Sequence, residues 1–207
     1  MITSMSDMIC ITNRGLCRGD FLEQIKRLAK AHPRAIILRE KDLSPENYRK
    51  LAAEVLEICR EEETECILHT FADIAAELGA GSIHLPLHIL REMPDELKKR
   101  FRRIGASCHS VEDAIEASSL GASYITAGHV FATDCKKGLP PRGIDFLKNV
   151  CGSVDIPVYA VGGISPDNIA EVRRAGASGG CVMSSAMNCT DAADFLRKFE
   201  EADHEIR

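Results

Sequence analysis

Eight short apolar runs, each closed by a small or polar cluster and followed by a helix-like segment, divide the chain into eight strand–helix units. The runs are MICIT from Met8, AIILRE from Ala35, ECILH from Glu65, SIHLP from Ser82, IGASC from Ile104, SYITAG from Ser123, PVYAVG from Pro157 and GGCVMS from Gly179. Most are continuously apolar rather than alternating, the pattern of a parallel strand covered by helices outside and packed side chains inside. Eight such units close a barrel, so the expected fold is α/β, a (β/α)8 TIM barrel with residues 1–207 as a single domain. An open doubly wound sheet also alternates strand and helix, but the first strand lacks the G-x-G-x-x-G turn of that architecture.

The intervening segments carry helix signals. Ser44-Pro45-Glu46 and Ser165-Pro166-Asp167 each place a capping hydroxyl before a proline and an acid, Ser110 with Asp113 resembles a capping box, and Thr190-Asp191 starts the last helix. Leu51, Val55, Leu56 and Cys59 recur at helical spacing and are expected to face the barrel. Leu78-Gly79-Ala80, Leu120-Gly121-Ala122 and Ala175-Gly176-Ala177 each precede a strand, and each reads as a glycine ending a helix in left-handed geometry.

Composition removes several classes of function. The chain has 26 basic against 31 acidic residues and a net charge of -5, which argues against a nucleic-acid surface. No apolar run reaches membrane-spanning length and the N-terminus has no signal-peptide pattern, so a cytoplasmic protein with no membrane partner is expected. The nine cysteines are scattered without a C-x-x-C pair, as for reduced thiols rather than a disulfide framework or a zinc site.

In a barrel of this kind the loops after the strands line the active-site face. They offer Asn13, Arg39, Lys41, His69, Pro86, His88, Ser107 and His109, the stretch from Gly128 to Gly138, Gly162-Gly163 and Met183-Ser184-Ser185. Gly162 and Gly163 let backbone N–H groups approach an anion and Ser184 adds a hydroxyl, a phosphate cradle on loops seven and eight. His129 stands where an imidazole projects over the mouth as an acid/base, and Lys136 or Lys137 suits a substrate phosphate. Arg39 fits a forked anion contact or an ion pair with Glu40. His69, His84 and His88 lack metal-site spacing, and no metal is expected.

At these residues the chain resembles the thiamine phosphate synthase/TenI superfamily. The motifs are Leu38-Arg39-Glu40-Lys41, Ile83-His84-Leu85, Ile104 to Ser110, the sixth loop, Val161-Gly162-Gly163-Ile164 and Val182-Met183-Ser184. The resemblance implies a thiazole phosphate ligand and a place in thiamin biosynthesis. Synthases of that superfamily carry Asn-Asp after strand three and Asp after strand four to hold magnesium; here the positions read His69-Thr70 and Ile89. The sixth loop, Gly128-His129-Val130-Phe131 with Thr133 to Leu139, resembles the TenI-type thiazole tautomerase.

The reading that follows from this resemblance is an isomerase that aromatises a carboxylated thiazole phosphate tautomer. It has His129 as catalytic acid/base, Gly162, Gly163, Met183 and Ser184 on the phosphate, and Arg39, Lys41, Ser107, His109, Thr133 and Lys136 around the substrate. It needs no cofactor, and magnesium enters only in the alternative, a thiamine phosphate synthase joining thiazole phosphate to hydroxymethylpyrimidine pyrophosphate. A non-catalytic thiazole-phosphate-binding or regulatory protein and a barrel isomerase for another small phosphate are the further readings. Barrels of this kind often dimerise, so a homodimer is the assembly allowed for.

Overall fold

A computed structural model describes residues 6–133, 136 and 138–204. Eight parallel strands close on themselves in sequence order: β1 Met8–Ile11, β2 Ala35–Leu38, β3 Cys66–His69, β4 Ser82–Pro86, β5 Arg103–Cys108, β6 Tyr124–Gly128, β7 Val158–Val161 and β8 Gly179–Val182. Closure is made by β1 against β8, with Ile9 opposite Cys181 and Cys10 opposite Val182. The helices follow as α1 Phe21–Lys30, α2 Pro45–Glu61, α3 Ala72–Glu77, α4 Leu87–Glu92, α5 Asp95–Lys98, α6 Val111–Ser119, α7 Gly143–Ser153, α8 Ile169–Arg174, α9 Ser184–Asn188 and α10 Ala192–His204. No helix among the described residues is long and apolar enough to cross a membrane.

Alternation along each strand separates two apolar clusters. Ile9, Ile37, Ile67, Tyr124, Tyr159 and Cys181 pack inside the barrel. Their neighbours Cys10, Ile36, Leu38, Leu68 and Ile125 point outward and pack under the helices. Both faces of each strand are therefore dry, which is why the runs read as unbroken apolar stretches. On α2, Val55 and Cys59 are buried against the strands while Leu51 and Leu56 are half-buried at the edge of the same cluster. The eight described cysteines are free thiols.

The three glycine punctuations have the expected geometry. Gly79, Gly121 and Gly176 have φ of 70°, 91° and 99°. The following alanines donate back into the helix, from Ala80 N–H to the Ala75 carbonyl at 2.9 Å and from Ala122 to Ala117 at 3.0 Å, the bond that closes a Schellman motif. Ser44 caps α2 by accepting from Asn47 N–H, and Ser110 caps α6 by accepting from Asp113 N–H at 3.0 Å. Ser165-Pro166 does not begin a helix as expected. The Asn168 side chain accepts from Ser165 N–H and donates to the Gly163 carbonyl, closing a turn that delays α8 to Ile169.

Candidate active site

A cavity of about 620 Å3 opens at the C-terminal end of the strands, and all eleven residues singled out for the site line it: Arg39, Lys41, Ser107, His109, His129, Thr133, Lys136, Gly162, Gly163, Met183 and Ser184. Asp134, Cys135 and Lys137 of the sixth loop lie outside the described residues.

The wall at loops six to eight is built by close backbone approach. Val130 N–H donates to the Val161 carbonyl at 2.9 Å and Phe131 N–H to that of Gly162 at 3.0 Å. Gly162 and Gly163 sit at φ of 97° and 69°. A Cβ on the first would overlap the His129 side chain and one on the second would lie 2.7 Å from Phe131 Cβ, so the turn tolerates only glycine. The exposed Ser184 and Ser185 start α9 beside it. The His129 ring lies 3.4 Å from the Leu139 carbonyl. His109 donates from Nδ1 to the Gly128 carbonyl at 3.0 Å.

On the opposite side, the first two loops are organised by Glu40, a buried carboxylate that sequence reasoning left as a partner for Arg39. Glu40 instead accepts from the Thr12 hydroxyl at 2.7 Å, from Arg14 N–H at 3.0 Å and from the Arg14 guanidinium. Thr12 in turn accepts from Arg39 N–H at 3.0 Å. This clamp leaves the Arg39 guanidinium without an ion pair among the described residues, and the same holds for Lys41 and Lys136. The Lys41 ammonium is pushed below its ordinary value by desolvation in the mouth and then by the charges of Arg39 and Lys136. Asp113 is the lone carboxylate of the described lining, and it is engaged by His109 N–H at 2.7 Å. Arg91 also faces the mouth but is bound to Glu116.

The floor holds two buried imidazoles, stacked with ring centroids 5.6 Å apart. Burial drives His69 down to about 2, aided by the nearby charges of His84, Lys41 and Arg39. Burial, Arg39 and Lys41 drive His84 down to about 3. Thr70 Oγ1 lies 2.6 Å from His69 Nδ1. The position after strand four that would supply a carboxylate is Ile89, half-buried against the outer core. Among the described residues no group of three or more His, Cys, Asp and Glu is placed to hold a metal ion. A hard divalent cation needs several oxygen ligands, and the described lining, cationic with one engaged carboxylate, does not fit magnesium.

His84, Gly105 and Tyr124 are Cα partners across β4, β5 and β6. A Cβ at Gly105 would overlap the Tyr124 ring and crowd His84 Nδ1, so the glycine makes the room in which those side chains meet. Gly105→Ala is expected to destabilise the barrel by about 2–3 kcal/mol in urea unfolding, the cost of overpacking a filled interior.

Comparison with known proteins places the chain. The family model described as thiamine monophosphate synthase matches residues 8–186. The chain belongs to that TMP-TENI family. It is 34% identical over 197 residues to a thiamine-phosphate synthase of Fusobacterium nucleatum, covering 91% of this chain and 94% of the relative. It is likewise 34% identical to one of Methanoregula boonei, covering 94% and 92%. A thiamine phosphate pyrophosphorylase structure from Pyrococcus furiosus superposes with a TM-score of 0.81 at 28% identity, covering 96% of both chains. These relatives carry the synthase name over nearly the whole length, which overturns the expectation of a thiazole tautomerase. The sixth-loop resemblance that favoured the isomerase rests on a dozen residues, whereas these similarities span the barrel.

Proposed function

We propose that this chain is a thiamine-phosphate synthase, a transferase that joins a thiazole phosphate to a hydroxymethylpyrimidine diphosphate. The observation that carries the reading is the 34% identity to named synthases over more than nine-tenths of the chain. The excess of cations in the mouth, without ion pairs among the described residues, supports it, since the reaction releases a polyanion. The thiazole ring nitrogen attacks the pyrimidine methylene carbon with its lone pair. A C–N bond forms, the C–O bond to the diphosphate breaks, and pyrophosphate leaves with the electron pair.

In this reading Arg39, Lys41 and Lys136 hold the diphosphate and neutralise the charge that grows on the leaving oxygen. Gly162, Gly163, Met183 and Ser184 hold the thiazole phosphate on the adjoining wall, so the two anions are kept apart and the reacting atoms meet between them. The nucleophile carries a free lone pair and no proton has to be removed from it, so His129 is a wall residue here rather than an acid/base.

The test is to incubate the protein with both substrates, with magnesium and separately with a chelator, and to follow thiamine phosphate by mass spectrometry. Product in either condition is the expected result. Its absence in both would reject the synthase reading.

A further inference from the structure

The Tyr124 hydroxyl, buried inside the barrel, lies 3.0 Å from His84 Nδ1, and Ser107 Oγ lies 2.9 Å from His84 Nε2. Neither hydroxyl has another side-chain partner among the described residues. These three groups form a line running from the barrel interior to the mouth, because Ser107 and His84 line the cavity whereas Tyr124 does not. Register makes the line: His84, Gly105 and Tyr124 share one layer, and the absent Gly105 side chain lets the first and third touch across β5.

Hydrogen counting then fixes each role. Burial keeps the Tyr124 hydroxyl protonated, with its pKa well above the ordinary value. Burial with Arg39 and Lys41 keeps His84 neutral, with one N–H only. A buried O–H must donate, and Nδ1 is the one side-chain acceptor within reach among the described residues, so Nδ1 is bare. The single N–H of His84 is therefore on Nε2 and donates to Ser107 Oγ. With its oxygen already accepting from the ring, the Ser107 hydroxyl has its own hydrogen left to give, and the half-buried side chain opens onto the cavity.

We propose that Tyr124, acting through His84, sets Ser107 as a hydrogen-bond donor aimed at an acceptor-only group of the ligand, the oxygen of a phosphoryl or diphosphoryl group. Tyr124 and His84 are positioning residues and Ser107 is the contact. A mouth with a committed donor favours ligands that present a lone pair there and disfavours those that present a hydrogen. The inference rests on the synthase reading only in the choice of pyrophosphate as probe.

Two measurements on the full chain test it. In histidine-15N-labelled protein, with the His84 signals assigned by their loss in His84→Gln, the expected state is a single tautomer protonated on Nε2. A His84 protonated on Nδ1 would overturn the relay. In calorimetric titration with inorganic pyrophosphate, Ser107→Ala and Tyr124→Phe are each expected to weaken binding by roughly tenfold, the usual scale for one hydrogen bond to a charged group. Ser107→Thr should keep the wild-type affinity, and Tyr124→Phe should lose the single tautomer. Wild-type affinity in Tyr124→Phe, or no pyrophosphate binding by the parent protein, would reject the proposal. Should Tyr124→Phe fail to fold, the parent tautomer and the Ser107 variants decide. Neither readout depends on turnover, so failure here and failure to form thiamine phosphate are separable.

Discussion

Replacing Lys41 by methionine should weaken the binding of inorganic pyrophosphate by about ten- to a hundredfold, and removing divalent metal with a chelator should change it by less than about threefold. The first figure follows from the loss of one charge-assisted hydrogen bond of about 1.5–3 kcal/mol. The second follows from the lining: Arg39, Lys41 and Lys136 line the mouth with no ion pair among the described residues, and its one described carboxylate is bound to His109. A site built to hold a metal–diphosphate complex would add one or two free carboxylates to these cations. Calorimetry with and without chelator reads both numbers, and pyrophosphate binding that requires magnesium would sink the idea.

The Lys41 ammonium supplies a pH signature of the same site. In the free protein it is held below its ordinary value by desolvation, Arg39 and Lys136. A bound polyanion lifts it again, so complex formation is linked to protonation. The pKa is higher in the complex than in the free protein. Affinity is therefore full below the free value and declines as pH rises between the two, beginning before the usual lysine range. In Lys41→Met that part of the alkaline decline should vanish, and titrations from neutral to alkaline pH would show it.

Much of the barrel is legible in the chain because burial on both strand faces leaves a local mark. β4 coincides with its apolar run from Ser82 to Pro86, and the glycines at 79, 121 and 176 end their helices where the Leu-Gly-Ala and Ala-Gly-Ala phrases place them. β2 stops at Leu38, two residues short of its run, because Glu40 leaves the strand to gather Thr12 and Arg14. That clamp joins residues 28 apart, and no local pattern announces it.

The site residues converge for a simple reason: the loops just past the barrel strands surround the mouth, so most of the candidates they carry line it. Partnership inside the barrel is harder to read. The contact between His84 and Tyr124 depends on the register of three strands, and its one local trace is Gly105, a glycine within a strand, which signals close approach. The reaction leaves a weaker local mark still, since a His and two Lys on one loop suit an acid/base or an anion site equally. Similarity distributed over the whole chain shows the family and weighs against the isomerase, which the short motif alone could not do.

Acid should unfold this barrel earlier than its carboxylates alone would dictate. His69 and His84 are buried and neutral, pushed from 6.5 down to about 2 and about 3 respectively. In the unfolded chain both take up a proton near pH 6.5, whereas in the fold they do not, so the unfolded state binds more protons throughout the interval. Their contribution is complete above the unfolded value and is lost as pH falls from there toward about 3. Each imidazole costs about 1.4 kcal/mol per pH unit in that window. The pair together removes about 4–5 kcal/mol between pH 6.5 and about pH 4.5, a large share of the roughly 5–15 kcal/mol that holds a domain together. Urea unfolding across this range should show the midpoint falling steeply while most carboxylates are still ionised. Replacing His69 by glutamine removes one of the two titrating rings and should roughly halve the slope, whatever it does to absolute stability. A midpoint that stays level from about pH 6.5 to 4.5 would mean that the two rings are charged in the folded barrel, and the neutral floor on which His84 depends for its single N–H would be lost with it.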